Sequence, residues 1–425
     1  MNRRGLTRRD LLRIAGIGGV SIAVSCGDND GPRPPGNHHA AFVVEPEQDS
    51  FIVVVWSAIA RSAALEVQSG DDIVFSTVIE LDGTAAVEVT GLEASRGYQV
   101  TILCDSGVRL GPHHVRTAPR VDDARPVRLA VSADVDPNPE FDSDLLAHLA
   151  AASPELFVSL GDFPYADNGP DVAVTVPAYR DRYAQTLTTP KLRAMLQEVG
   201  VRAIYDDHEF RNDWDAMFVA AESSRYAAAM QVWDEFFPVR GAVGDVRYRK
   251  WRWGANLECF LLDCRRFRSA NAAVDDSAKT MLGDTQRAWL IESVLQSTAT
   301  FKVIFTTVPL DFGDGLDHWA AYTNERDRIF DALVGVSGVL FVSADQHWFA
   351  AHRHAHGIRE FQVGPLCRGI GMPHTSAPGV LFRSLQYNFG LIDVDGDELT
   401  VSGVGPDGAV FYKETLTAES LTPAS

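Results

Sequence analysis

Apolar and polar positions divide the chain into two regimes. Between Ala41 and Pro119 the apolar positions gather in short runs, FIVVVWSAI, ALEVQS, IVFSTVIEL, AAVEVTGL, GYQVTILC and HHVRTAP, separated by turn residues and lacking a helical period. Regular short strands of this kind predict a β-sandwich. Beyond Thr117-Ala118-Pro119, strand-like runs alternate with helix-like stretches: RLAVSAD, the helix around SDLLAHLAAA, LFVSLGD, the helix around PKLRAMLQEVG, then RAIYDD. That order predicts a parallel sheet with flanking helices. Arg211 to Pro238 reads as a helical insertion, and VRYRKWRWG with LECFLLDCR as paired strands. FKVIFTTVP and VLFVSADQH resume the sheet, and FGLIDVDGDELTVSGVG with AVFYKETL reads as a hairpin turning at GPDG.

Several of the buried runs end on acid or imidazole. LAVSAD delivers Asp134, LFVSLGDFPY delivers Asp162 and Tyr165, RAIYDDHE delivers Asp207 and His208, and LFVSADQH delivers Asp345 and His347. The carboxyl ends of strands are where open α/β sheets place their ligands. Any one such Asp could be a turn or helix cap. Crowded together, however, the carboxylates repel one another and need cations, so the set points to a multi-metal site.

Length and charge narrow the picture. A chain of 425 residues predicts more than one domain, and 46% hydrophobic with 22% charged residues suits a globular fold. Residues 1–25 carry adjacent Arg8 and Arg9 before a short apolar stretch, Ile14 to Val24, which is too short to span a bilayer as a mature helix. The pair resembles a twin-arginine export signal, and Ala23-Val24-Ser25-Cys26 a loose lipoprotein box that would make Cys26 a lipid anchor; the alternative is an ordinary peptidase site. Residues 26–40 form a Gly/Pro-rich tether. Losing residues 1–25 removes five arginines and one aspartate and moves the net charge from −19 to −23, which disfavours duplex nucleic acid. Cys104, Cys259, Cys264 and Cys367 are too sparse for a disulfide framework and read as core thiols. In the sandwich, Leu92 to Tyr98 resembles a tyrosine corner, and Trp56 is expected in the core. The sandwich itself is expected to act as a spacer or lid, with His38, His39, His113 and His114 solvated.

The ordered set GDFPY, DDHEFRNDW, LDCRRFR, LGDTQRAWL and ADQHW, following a sandwich that ends in RTAP, resembles the PhoD-type alkaline phosphatases and phosphodiesterases of the calcineurin-like metallophosphoesterase superfamily. The resemblance implies an α/β metallophosphoesterase-like layered fold over residues 120–416, after an all-β fibronectin/immunoglobulin-like sandwich over 41–119 and before a tail at 417–425. It implies that Asp162, Tyr165 and His347 hold Fe3+, with Asp162 bridging to Ca2+, and that Asp345 and Asn212 serve the second cation; Asp207 is a further candidate metal ligand. Asp134 stands where the family carries a cysteine ligand, and Thr306-Thr307-Val308-Pro309 lacks the imidazole that dinuclear relatives place there. Asp136 reads as a solvated turn residue.

His208 is the candidate leaving-group acid, or else a structural histidine held by Asp206 or Glu209. Arg265 is a candidate phosphate clamp, or else a surface ion pair. His352, His354 and His356 read as a solvent-facing edge. The expected activity is hydrolysis of phosphate mono- or diesters by attack of metal-bound hydroxide. The expected protein is an exported monomer at the periplasmic or extracellular face, reached through the twin-arginine machinery and tethered through Cys26, acting on small, lipid- or nucleotide-type phosphate esters. A non-catalytic binding lipoprotein on the same scaffold is the rival.

Overall fold

In the computed structural model, residues 38–137, 144–168, 172–242, 244, 246–311, 315–371 and 379–425 are described. The amino-terminal runs form β1 His39–Val44, β2 Ser50–Ser57, β3 Ser62–Ser69, β4 Asp72–Glu80, β5 Thr84–Thr90, β6 Gly97–Cys104 and β7 Arg109–Arg116. Strands β4, β3, β6 and β7 make one four-stranded sheet. It packs on β1, β2 and β5 through Phe51, Val53, Val55, Leu65, Val67 and Val100. The Tyr98 hydroxyl accepts a hydrogen bond from the Glu93 backbone N–H at 2.8 Å, closing the corner before β6.

The sandwich, expected as a spacer or lid against the next domain, packs on that domain through a shared sheet. Strands β1 and β2 are buried along their whole length, because their second face packs Phe42, Val54 and Trp56 among residues of the next domain. The edge of β1 pairs parallel with a catalytic strand, Val44 opposite Val201. A buried ion network seals the joint: Arg202 reaches Glu45 at 3.2 Å and Glu47 at 2.5 Å, and Arg249 reaches Glu45 at 2.5 Å. Deleting residues 41–119 would leave two buried guanidiniums unpaired and a sheet edge open. Soluble yield and a cooperative thermal transition should both be lost, and a folded, soluble catalytic fragment would contradict this. The tether also ends sooner than expected, since His39 and Ala40 already belong to β1.

The catalytic region continues with β8 Val127–Ser132, α1 Leu145–Ala151, β9 Leu156–Ser159, α2 Val176–Leu187, α3 Pro190–Leu196, β10 Val201–Ala203, α4 Ala216–Ala221, α5 Ser223–Phe236, β11 Arg249–Arg252 and β12 Leu257–Leu261. After these come α6 Gly283–Gln296, β13 Phe301–Phe305, α7 Thr323–Ala332, β14 Val339–Ser343, β15 Phe349–Arg353, β16 Arg359–Gln362, β17 Val380–Ser384, β18 Phe389–Asp395, β19 Glu398–Val404 and β20 Val410–Thr417. The single sheet expected from the alternating pattern is two sheets. One runs β20-β19-β18-β8-β9-β10-β1-β2-β5, the other β11-β12-β13-β14-β16-β15-β17. Strand order along the chain cannot say which sheet a strand joins.

The two sheets face each other through Leu129, Val131, Val158 and Ile392 on one side and Leu261, Val303, Phe305 and Val342 on the other. Leu146, Tyr183 and Trp233, from α1, α2 and α5, cover the outer face of the first sheet. Leu290 and Phe330, from α6 and α7, cover the second with Ile304 and Phe341. The terminal residues are held as well, with Ala424 N–H bonded to the His356 carbonyl at 2.8 Å.

Several histidines read as solvated are interior. Strand β15 is paired on both sides, so His352 is buried, and His354 sits 2.6 Å from Glu360 beside it. His39 and His113 are buried too. Burial, chiefly, pushes His113 down to about 4 from an ordinary 6.5. Between those values the unfolded chain binds the proton and the folded chain does not, so this contribution is intact above pH 6.5 and lost as pH falls toward 4. The loss approaches roughly 3 kcal/mol. Thermal unfolding of chelated protein should show it, with a shallower acid slope in His113→Phe.

Candidate metal centre

Parallel strands β8, β9 and β10 lie side by side in the first sheet, and β14 lies in the sheet facing it. Their carboxyl ends therefore deliver Asp134, Asp162, Asp206–Asp207 and Asp345–His347 to one edge. The backbone turns sharply there, with positive φ at Asp134 (61°), Asp162 (55°), Asp345 (75°) and His347 (61°). Such conformations cost energy in non-glycine residues and concentrate at functional sites. Two glycines make the room. A Cβ on Gly161 (φ 104°) would fall 2.4 Å from the Asp206 Cβ, and one on Gly364 would fall 2.5 Å from Asp134 Oδ2.

The ligand atoms of Asp134, Asp162 and His347 lie within 4.8 Å of one another, as do those of Asp162, Asp207 and His208, and those of Asp206, Asp207 and Asp345. Tyr165 Oη stands 3.1 Å from His347 Nε2, and Asp134 Oδ1 3.5 Å from the same nitrogen. His347 Nδ1 is 2.5 Å from the Gly369 carbonyl, so Nδ1 carries the proton and Nε2 presents its lone pair to the cluster. Burial lowers His347 to about 4, which keeps it a neutral imidazole.

Asp134 is the most telling residue. Its side chain is fully buried and neither carboxylate oxygen has a hydrogen-bond partner. Burial, then the charge of Asp206, pushes its carboxyl well above the usual range. Asp162 and Asp345 are pushed the same way by burial and then by neighbouring carboxylates, Asp207 for Asp162 and Asp206 for Asp345. A buried carboxyl without hydrogen bonds either stays protonated or gives its lone pairs to a cation, and this one stands among a neutral imidazole, a phenol and further carboxylates that would share such a cation. The donor set of carboxylates, phenol and imidazole fits hard cations.

His208 lies beside this cluster, held by neither of the expected acids. Its Nδ1 is 2.7 Å from Asp167 Oδ1, its backbone N–H donates to Asp162 at 3.1 Å, and its ring packs 4.3 Å from that of Tyr165. Burial alone would lower its pKa, but Asp207 and Asp167 more than offset this and raise it to about 9. Glu209 instead braces two loops, accepting from the backbone N–H of Phe163 at 2.8 Å and of Asp206 at 3.0 Å. Asn212 lies on the cleft wall, its backbone N–H bonded to Asp167 at 2.6 Å.

Arg265 requires a correction. It is fully buried at the end of β12, not at a surface and not on the cleft wall. Its guanidinium makes two 2.7 Å bonds to Asp206 and reaches Asp317 at 2.6 Å. With Asp207 a further 3.7 Å away, the interior carboxylates need this charge for themselves. Asp136 is likewise no free turn residue, since it pairs with Arg368, whose guanidinium lies 4.2 Å over the Tyr165 ring. Sequence reasoning misses Asp167, Asp317 and Arg368, and offers Glu209 only as a partner of His208. Only Asp167, two positions after Tyr165, carried a local signal.

The cleft has a volume of about 450 Å³ and is lined by Asp162, Asp207, His208, Asn212, Asp345 and Trp348 among others. Gly371 also lines it, and residues 372–378 fall outside the described residues. Arg8, Arg9 and Cys26 fall outside them too. No helix of the described residues is long and apolar enough to cross a membrane.

The sequence model described as PhoD-like phosphatase matches residues 139–378. Alkaline phosphatase D of Bacillus subtilis (strain 168) is 27% identical over 248 residues, covering 47% of this chain and 42% of that protein, so the match spans less than half the relative's length. A solved structure of PhoD superposes with a TM-score of 0.78 at 18% identity, covering 90% of each chain. Purple acid phosphatase PPD1 from yellow lupin (Lupinus luteus) seeds superposes with a TM-score of 0.67 at 10% identity, covering 90% of this chain and 74% of its own. These two likenesses bear on the fold, and the family model covers more than half of the chain: the chain belongs to the PhoD-like phosphatase family.

Proposed function

We propose that this protein is an exported, metal-dependent phosphoesterase that hydrolyses phosphate mono- or diesters. The observation that carries the reading is the buried Asp134 carboxylate with both oxygens unbonded, facing His347 and grouped with Asp162. Asp134, Asp162, Tyr165 and His347 would hold an iron-type cation, and Asp162, Asp207, Asn212 and Asp345 a calcium-type one. Such cations supply charge neutralisation for phosphate oxygens and acidify a water. The chain's own residues do the rest. Asp167 keeps His208 oriented and charged, so that its Nε2 proton is available to the departing alkoxide. Arg265 stays inside and fixes Asp206, which sets the position of Asp207 beside it. Asp162 accepts the His208 backbone N–H and so ties the acid to the cluster.

Export through the twin-arginine machinery, a lipid anchor at Cys26 and a monomeric state belong to the same reading, as does a surface too acidic for duplex nucleic acid. Fractionation of cells carrying wild type and Cys26→Ala tests the anchor.

The test of the reading is turnover of p-nitrophenyl phosphate and bis(p-nitrophenyl) phosphate after loading with iron and calcium. Activity should vanish on chelation and return on re-addition. Concentrated protein should also be tinted, because a phenolate on ferric iron absorbs visible light, and Tyr165→Phe should lose the band. Metal-loaded protein that hydrolyses neither ester would favour a recognition platform instead.

A further inference from the structure

Residues 364–371 run past both sides of the first cluster. The Leu366 N–H donates to the Ala133 carbonyl at 3.0 Å and the Cys367 N–H to the Asp134 carbonyl at 3.2 Å, while the Asp136 N–H returns to the Cys367 carbonyl at 3.2 Å. Further on, the Gly369 carbonyl accepts from His347 Nδ1 at 2.5 Å, and the Gly371 N–H donates to the His347 carbonyl at 3.2 Å. Arg368 therefore sits on backbone tied to the loops of Asp134 and of His347 at once. Its guanidinium is doubly engaged, paired with the Asp136 carboxylate and lying 4.2 Å over the Tyr165 ring. Only 21% of the Arg368 side chain and 2% of Tyr165 are exposed, so water screens this contact weakly.

The placement matters because the phenol needs a cation. Burial, then the charges of Asp162 and Asp134, push Tyr165 well above its ordinary value of 10, and Arg368 works against them. A guanidinium over a ring face is drawn to the negative face of the π-system, and more strongly to a phenolate than to a phenol. Charge held at the ring face is charge withheld from the oxygen. We propose that Arg368, balanced by Asp136, is a positioning residue that keeps Tyr165 an anionic but weakened donor, so that a ferric-type ion bound there retains more of its charge for phosphate oxygens. This rests on the phosphoesterase reading with iron at Tyr165, and deepens it.

The test compares iron-loaded wild type, Arg368→Gln and Asp136→Asn by visible spectroscopy and by reductive titration of the band. Removing the guanidinium raises the donor level of the phenolate, so the band of Arg368→Gln should move to longer wavelength and its midpoint potential should fall. Asp136→Asn leaves the guanidinium unbalanced, although the amide oxygen can still accept from it, so the band should move to shorter wavelength and the midpoint should rise. Opposite shifts from the two halves of one ion pair mark a charge effect, whereas lost packing would move both the same way. Thermal unfolding of the chelated variants checks that the fold is kept, and if Arg368→Gln retains no iron, the direction of the Asp136→Asn shift decides alone. A band that stays in place in both variants, or moves the same way in both, would leave Arg368 and Asp136 as packing and overturn the proposal. Iron-loaded wild type with no visible band would defeat the tyrosinate reading and the proposal with it. Turnover of bis(p-nitrophenyl) phosphate by the same wild type tests the phosphoesterase reading apart from the spectra.

Discussion

Asp162→Asn should strip the protein of both bound metal and turnover. Asp162 is the residue common to the first two clusters, grouped with Asp134 and His347 on one side and with Asp207 and His208 on the other. An amide retains the shape, and its oxygen can still accept the His208 backbone N–H now bonded at 3.1 Å, so the loops should hold. What it loses is the charge that lets one side chain serve two cations. Loss of an outer partner costs about 10–100-fold in metal affinity, and loss of a bridging ligand should exceed that. Elemental analysis and chromogenic turnover on the purified variant would show it. Normal metal content with normal activity would mean that the cluster is not the site.

Arg265→Ala should unfold the protein more than it impairs substrate binding. The guanidinium is fully buried between Asp206 and Asp317, with Asp207 3.7 Å off. Removing it leaves several buried carboxylates facing one another, and breaking one buried ion pair costs about 3–5 kcal/mol. Denaturant unfolding of the chelated variant should show a loss of at least that order, with Arg265→Lys intermediate because a point charge cannot bridge two carboxylates bidentately. A variant of unchanged stability with only a raised KM would restore Arg265 to the substrate.

How far the sequence discloses this site depends on what a strand end can say. Apolar runs that stop on Asp or His are local signals, and Asp134, Asp162, Tyr165, Asp207, Asp345 and His347 all lie at the common edge they predict. The partners of those residues are not local. Asp167 is bonded to His208 forty-one positions away, and Arg368 stacks on Tyr165 from the far loop. Arg265 looks like a clamp in Asp-Cys-Arg-Arg because nothing in that run reveals the three carboxylates around it.

At the level of fold, the run FIVVVWS reads as one sandwich strand, and nothing in it says that β2 is packed on both faces or that its sheet continues into the catalytic domain through β1 and β10. Likewise His352 follows the alternation of an edge strand, and only pairing on both sides buries it.

The most direct measurement is the metal bound per chain, read by elemental analysis after loading with iron and calcium and exhaustive dialysis, with wild type beside Asp134→Ala. The buried, unbonded Asp134 carboxylate predicts that wild type retains more than one ion per chain and that the variant loses iron while keeping its fold. Wild-type protein that retains no metal, or a variant that retains iron unchanged, would contradict the account.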